Sequence, residues 1–440
     1  MLEKKKISLT TQMLIALVLG VGLGFTLQAI PQGTFRDDVI IDGLLWFMGE
    51  AFLNAIWFIV VPIVFTSLVV GVSSITEPRK LGKIGGKTIA FYLSTTILAI
   101  SLALFFGMMF NPSQGVNVAD IEQIEPTIGA AQPIPSILVN IIPRNPFAAL
   151  TTTSTLQIIF VSIAFGLAII SVGDKAKPVN DFMEALNEVV LKIAGVVMKF
   201  APYGAFALIA RSFVQLGLDA ILALIAFVLV VWFVLAFHTV FVYGAALALL
   251  AKKGPNGERV RLGMFFKKTL PSLAFGFASA SSAATIPVTL KATDSLGLDR
   301  KLSSFSIPLG ATVNMDGTAI YQGVAIIFLA GLHGLHLGPG EIITVLITAT
   351  LASIGTAGVP GAGMIMLSVV LTSIGLPMES IAIIFGIDRI VDMPRTSINV
   401  FGDIVCSTIV ATHENAFDWA RFQDPSIEAP SIASSTSAGS

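Results

Sequence analysis

The sequence predicts an all-α polytopic membrane protein, with eight transmembrane helices plus two re-entrant helical hairpins laid out as inverted repeats. Three observations carry this. The 440 residues are 55% hydrophobic and 12% charged, with a mean hydropathy of +0.87, too apolar for a chain whose surface meets water. Apolar stretches of membrane-crossing length follow one another through the first 250 residues. Beyond residue 270 two more apolar stretches are interrupted at their centres, and each is followed by a helix that carries polar groups.

Taken in order, the chain opens with a basic run, Lys4 to Lys6, and an apolar stretch without a small-residue cleavage site before Pro31, read as a retained first helix. Spanning helices are expected near 11–30, 50–73, 88–110, 156–172, 186–214 and 219–250. The first loop (Arg36, Asp37, Asp38, Asp42) and the third (Asp120, Glu122, Glu125, Arg144) are net acidic. The second carries Arg79, Lys80, Lys83 and Lys87, and the loop after the sixth helix carries Lys252, Lys253, Arg259, Arg261, Lys267 and Lys268. The positive-inside rule then places the N-terminus and the even-numbered loops in the cytoplasm, for a multi-pass protein of the cytoplasmic (inner) membrane with both termini inside. A Ser-, Ala- and Pro-rich tail from about Asp424 is expected to be disordered. The single cysteine, Cys406, excludes an intrachain disulfide and a cysteine-rich metal site, and a net charge of −1 predicts no nucleic-acid partner.

The interrupted stretches are Leu273 to Leu290, with FASASSAATIP ending at Pro287, and Ile342 to Ile374, with SIGTAGVPGAG at 353–363. Proline removes a donor, and glycine and serine weaken a helix, so neither stretch is expected to run unbroken. Broken backbone at membrane depth needs protein or a water-lined cavity around it. Both therefore read as re-entrant hairpins whose tips meet mid-membrane, followed by polar helices at Ile307 to Leu329 and Phe385 to Ile409. Used twice from opposite sides, this layout points to a solute site at a repeat interface. The repeat is inferred from layout, without residue identity between the halves.

The last polar helix places Asp388, Asp392, Arg395, Asn399 and Asp403 three or four residues apart, on one stripe. Charges at that depth are expensive and usually mark a solute or ion path. In the other polar helix Gly310, Asn314, Met315, Asp316, Gly317 and Thr318 suggest local unwinding, which frees carbonyls for a hard cation such as Na+. Counting the stripe's three acids, Asp316 and one arginine gives a site three charges negative, so cations or protons must accompany the solute. An acidic amino acid would set its side-chain carboxylate on Arg395 and its ammonium on Asp392. Its α-carboxylate would meet hairpin N–H groups and Asn399. Asp316, Asp403 and, as an open alternative, Asp388 remain for Na+. Pro394 frees the carbonyl of Ile390 and bends the stripe toward the hairpin tips.

Simpler roles are internal pairing of the stripe for packing, a helix cap at Asn314 and Asp316, and small-residue packing at the serines. The hydroxyls of Thr95 and Thr96 would ordinarily bond their own helix. His238, His333, His336 and His413 lie away from any acid cluster in sequence. An intramembrane protease would need a His or Lys base near the hairpin serines, and none is close in sequence.

Three motifs, NMDGT at 314–318, SIGTAGVPGAG at 353–363 and DMPRTSINVFGD at 392–403, resemble the signature segments of the sodium-coupled glutamate/aspartate transporter family, the dicarboxylate/amino acid:cation symporters. The resemblance runs from the first helix to about residue 420. It implies a homotrimer and an elevator-type transporter rather than an enzyme, with Na+ as coupling ion and no organic cofactor. Scaffold parts would occupy 1–87 and 112–217, transport-domain parts 88–111 and 218–422, and a tail 423–440. The second hairpin would be the extracellular gate.

Carried over by motif, Arg395 would bind the side-chain carboxylate, Asp392 the amino group, and Asn399 and Thr318 the α-carboxylate. Ser281, Ser282, Met315, Val359 to Gly363, and Thr396 would complete the pocket. One cation would lie at Asp403 with carbonyls of Gly310, Asn314 and Asn399. A second would lie near Thr312, Met315, Ser353, Ile354 and Thr356, and a third near Asn314, Asp316, Tyr92, Thr95 and Thr96. The chain departs from the family where Ala280 and Met393 stand at positions that carry an arginine in archaeal or animal members. Gln322 replaces a glutamate of proton- and potassium-coupled members, which favours Na+ without proton or K+ countertransport. The resemblance thus implies Na+-coupled uptake of L-aspartate or L-glutamate. Its alternatives are a proton-coupled glutamate/aspartate symporter, a C4-dicarboxylate symporter, whose branch lacks the acid matching Asp392, and an anion channel.

Overall fold

The computed structural model describes residues 9–73, 78–114, 142–151, 155–354 and 358–424, with positions 139, 356 and 427. Among them there is no strand beyond an isolated bridge between Leu298 and Phe417. The first bundle contains α1 (Leu9–Ala29), a π-helical lead-in (Phe35–Leu45) to α2 (Trp46–Ser73), and α3 (Pro78–Phe110). It continues through a short α4 (Pro146–Thr151), α5 (Thr155–Val172), α6 (Lys177–Val197) and α7 (Ala201–Phe237). A π-helical turn, His238–Tyr243, passes into α8 (Gly244–Leu250).

Among the described residues, six helical stretches are long and apolar enough to cross a membrane: Thr11–Ala29, Phe35–Ser73, Ile84–Phe110, Gln157–Val197, Ile221–Leu250 and Arg300–Leu332. Large side chains such as Val18, Phe58, Phe105 and Leu229 remain exposed on these helices, the pattern of a lipid-facing surface.

The expected break between the fifth and sixth helices, at 214–219, does not occur. The chain turns instead at 198–200, and α7 runs on from there. Pro202 sits in the first turn of α7, where its missing N–H is harmless, and Gly217 alone is too weak a breaker to end a helix. The two halves of α7 serve different neighbours. Phe213 packs 4.3 Å from Phe25 of α1 and its carbonyl accepts from Gln28, whereas Phe227 and Phe233 pack against Phe328 and Phe106, each 5.1 Å away. On the α1 side, Thr66 and Ser67 of α2 both donate to Asn187 of α6.

The basic residues assigned to the second loop, Arg79, Lys80, Lys83 and Lys87, stand on the first turns of α3, and Lys87 pairs with Glu414. Asp120, Glu122, Glu125, Lys4 to Lys6 and nearly all of the Ser-rich tail lie outside the described residues.

After α8 come α9 (Leu262–Ser279) and α10 (Ser282–Leu296), the arms of the first hairpin, then α11 (Arg300–Val313) and α12 (Asp316–Leu332). The second hairpin is α13 (Pro339–Ile354) and α14 (Ala362–Ser373); α15 (Ile381–Phe385), α16 (Asp388–His413) and α17 (Trp419–Gln423) follow. Both hairpins form, the first with longer arms than the sequence suggested and the second close to its expected bounds. The first breaks at Ala280, held at φ +49°, and Ser281; Pro287 lies inside α10 and is not the breaker. Ser281 supplies the reason, since its side chain caps α10 by accepting from Ala284 N–H. The helix through Asn314 also parts as expected, between α11 and α12.

Candidate functional site

Two polar clusters lie along α16. At its N-terminal end Arg395 donates to Asp392 Oδ1 from Nη2 (2.5 Å) and Nε (3.2 Å), and its guanidinium lies 4.7 Å over the ring of Tyr321. The remaining nitrogen, Nη1, is buried without a hydrogen-bond partner, 3.9 Å from Asp388 Oδ1. A Cβ on Gly363 would stand 2.5 Å from that nitrogen, so glycine is what lets α14 approach the guanidinium.

A second arginine stands here that the stripe omitted. Arg389 Nη1 is 3.6 Å from Asp392 Oδ2, and its Nη2 donates to the carbonyl of Ser279 at 3.3 Å. One residue beyond Asp388, it leaves the helix about 100° away from the stripe, but its long side chain curls back. Across both clusters four carboxylates stand with two guanidiniums, leaving two negative charges rather than the three expected from the stripe.

The hairpin tips close over this end. Gly358 O accepts from Ser281 Oγ (2.7 Å) and Ala283 N–H (3.1 Å), and Gly361 N–H donates to Asp392 Oδ2 at 3.3 Å. Ser282 opens α10 and is buried; Val359 is half-buried in the second tip; Thr396 is buried on α16.

Asn399 lies between the two clusters on α16. Its Oδ1 accepts from Gly317 N–H at 2.8 Å, and its Nδ2 faces Met315 Sδ (3.2 Å) and Thr318 Oγ1 (3.5 Å). Below it, Asn314 Nδ2 donates to the carbonyl of Asn399 (3.0 Å) and to Asp403 Oδ1 (2.9 Å), while Asn314 Oδ1 is buried with no partner. A Cβ on Gly310 would stand 2.2 Å from Asp403 Oδ1 and 2.6 Å from Tyr92 Oη, so these three groups meet only because residue 310 is glycine. The Gly310 carbonyl accepts from Asn314 N–H, and Tyr92 donates to Ser306 O at 3.3 Å.

Asp316 is fully enclosed. Its Oδ1 accepts from Thr96 (2.5 Å), and its Oδ2 accepts from Tyr243 (2.7 Å) and faces His238 Nε2 at 3.2 Å. This overturns the placement of His238 away from acids. Neither His238 nor Tyr243 was picked out from sequence, though a usable signal existed: the cost of polar groups at membrane depth applies to a histidine inside an apolar span as it does to the stripe. Both lie on the π-helical turn, a backbone feature frequent at functional sites. Thr95 donates to its own helix, at Tyr92 O.

In the remaining expected group the hydroxyls of Thr312 and Ser353 donate within their own helices, to Leu309 and Thr350, and that of Thr356, just past the end of α13 at Ile354, donates back to the carbonyl of Ala352. The structure brings no side-chain hydrogen bond among them.

Chemically the clusters differ. The first combines guanidinium groups with carboxylates, a free guanidinium donor and helix-end amides, which suits an anion carrying its own amine or carboxylates. In the second, Asp316 and Asp403 are answered by hydroxyl, amide and imidazole groups. Among the described residues neither forms an ion pair with a lysine or arginine, and no three His, Cys, Asp or Glu side chains converge as a transition-metal site. Carboxylate, amide and carbonyl oxygens, including the unpartnered Asn314 Oδ1, fit a hard cation.

A family model described as the sodium:dicarboxylate symporter family matches residues 9–413. The chain is 34% identical over 422 residues to a proton/sodium-glutamate symport protein of Geobacillus stearothermophilus, covering 94% of this chain and 96% of the relative. It is 33% identical to a proton/glutamate-aspartate symporter of Escherichia coli, covering 94% of each. A C4-dicarboxylate transport protein of Bacillus subtilis is 31% identical, covering 94% of this chain and 95% of the relative.

Proposed function

The chain belongs to the sodium:dicarboxylate symporter family, a family of transporters and not of enzymes, and from that premise we propose that it couples Na+ entry to uptake of L-aspartate or L-glutamate. The observation that carries this is the buried Nη1 of Arg395, without a hydrogen-bond partner and set against Gly363 of the second hairpin. A buried guanidinium N–H without a partner is costly, and a carboxylate is its natural complement.

With solute bound, the side-chain carboxylate takes Arg395, which swings off Asp392. The ammonium takes the vacated carboxylate, and the α-carboxylate takes Thr318 and Asn399, with Ser281, Ser282, Met315, Val359, Gly363 and Thr396 enclosing it. Because Gly361 N–H rests on Asp392, occupying Asp392 with an ammonium also alters the hold on the second hairpin, the proposed outer gate. Na+ is carried at Asp403 with Asn314 and the carbonyls of Gly310 and Asn399. A second ion is carried at Asp316 with Asn314, Tyr92, Thr95 and Thr96, and a third under the second hairpin near Thr312, Met315, Ser353, Ile354 and Thr356.

The proposed assembly is a homotrimer in the cytoplasmic membrane with both termini inside. Its scaffold includes α1 and α2, and the moving unit comprises α3, the second half of α7, both hairpins, α11, α12 and α16. The different neighbours of the two halves of α7 support that division.

A proton-coupled version is the second reading. It is favoured by His238 and Tyr243, which set proton-bearing groups on Asp316. Uptake of radiolabelled aspartate and glutamate into proteoliposomes, with Na+, H+ and K+ gradients imposed one at a time, decides between them. Accumulation under the Na+ gradient alone is the expected result; accumulation under the H+ gradient alone would establish the second reading, and equilibration without accumulation a channel.

A further inference from the structure

Arg389 bridges two parts of the site. It is 8% exposed, and its guanidinium spans from Asp392 Oδ2 to the carbonyl of Ser279, the last residue of α9. That carbonyl is one of the four at a helix end with no partner inside the helix, and a cation is favoured there. Arg389 is therefore anchored on the first hairpin while facing the carboxylate that the solute's amine must use.

The electrostatic consequence follows from the ion pairs. Asp388 and Asp392 face Arg389 and Arg395, so the empty solute end is neutral. An acidic amino acid adds two carboxylates and an ammonium, and the ammonium must take the Asp392 oxygen that Arg395 vacates, on a carboxylate whose other oxygen Arg389 already faces, so it approaches against a like charge. A dicarboxylate with no amine meets no such opposition and gains an attraction to a second guanidinium. Asp392 alone would reject it, whereas Asp392 neutralised by Arg389 does not.

Resting on the acidic-solute reading above, we infer that Arg389 is a specificity-determining residue that sets how strictly this site demands an amine, and that the wild-type protein binds C4-dicarboxylates such as succinate in the aspartate pocket. The role is electrostatic and distinct from the anchoring contact with Ser279. Loss of the anchor alone would weaken every solute alike; loss of the charge separates them.

The test is competition by succinate and by unlabelled aspartate against radiolabelled aspartate, on the purified full-length protein in saturating Na+. The readout is the ratio of the two inhibition constants for wild type, Arg389→Gln and Arg389→Lys. The Gln variant is expected to raise the succinate-to-aspartate ratio about tenfold, the scale of one lost charged contact. The Lys variant keeps the charge, and its ratio is expected to stay near wild type even where both constants rise.

An unchanged ratio in the Gln variant, or no competition by succinate in wild type, would overturn the inference while leaving aspartate transport standing. A Lys variant whose ratio moves as far as expected for Gln would overturn it too, and that arm stands if the Gln variant fails to fold. Failure of wild type to bind aspartate, glutamate or succinate at all would instead remove the acidic-solute reading, and this inference with it.

Discussion

The two clusters along α16 each contain two buried carboxylates, yet they balance them by opposite means. At the hairpin end Asp388 and Asp392 are met by Arg389 and Arg395, so the charges cancel without any ligand. At the far end Asp316 and Asp403 are met by Thr96, Tyr243, Asn314 and His238. Hydrogen bonds from hydroxyl and amide donors spread a carboxylate's charge but do not cancel it, and a buried uncompensated charge costs several kcal/mol. On the proposed function the far end takes a cation before any solute arrives, while the hairpin end needs only an exchange of partners. Asn399 lies between them, bonded to Asn314 at the far end and to the N–H of Gly317, which packs against the Arg395 backbone.

Substitutions can break this contrast, the largest expected effect first. Arg395→Ala leaves Asp388 and Asp392 with one guanidinium between them, and aspartate affinity is expected to fall by about three orders of magnitude, as for other truncated buried charge pairs. Isothermal titration in Na+ reads it, and unchanged affinity would remove Arg395 from the solute site. Asp403→Asn takes a charged oxygen from the far end. The Na+ concentration for half-maximal aspartate binding is expected to rise about 100-fold, in line with losing a charged partner. An effect on aspartate alone, with the same Na+ dependence, would erase the distinction between the ends.

Tyr243→Phe removes one neutral donor from Asp316 and leaves Thr96 in place. Apparent Na+ affinity is expected to change by about tenfold, the scale of one hydrogen bond to a charged group. His238→Gln preserves a donor of similar reach, so a shift of about threefold or less is expected in Na+ dependence, within the range of one neutral hydrogen bond. If that variant instead abolishes a pH dependence of uptake present in wild type, the proton-coupled reading gains.

Much of the arrangement could be read from residue types at fixed spacing. Gly310, the Asn314 to Thr318 run and the glycines around Pro360 announce broken backbone, because their physics is local. Asp392, Arg395, Asn399 and Asp403 share a stripe because a helix imposes its period on them. What escaped depends on tertiary geometry. Arg389 leaves the helix off the stripe and returns through side-chain length, and His238 and Tyr243 reach Asp316 from 78 and 73 residues away. The small and hydroxyl run that predicts the first hairpin break holds it, at Ala280 and Ser281, whereas Pro287 in the same run does not break the helix, since a proline six residues into a helix can be accommodated at membrane depth where neighbours re-satisfy the freed groups. Likewise α7 runs through the expected break at 214–219, where no proline interrupts it.

The most direct test of the contrast is aspartate titration into the solubilised protein at neutral pH, in NaCl and in choline chloride of equal ionic strength. The account predicts binding in Na+, steeply dependent on its concentration, and none measurable in choline, because the far end stays uncompensated. Equal affinity in both salts would contradict it.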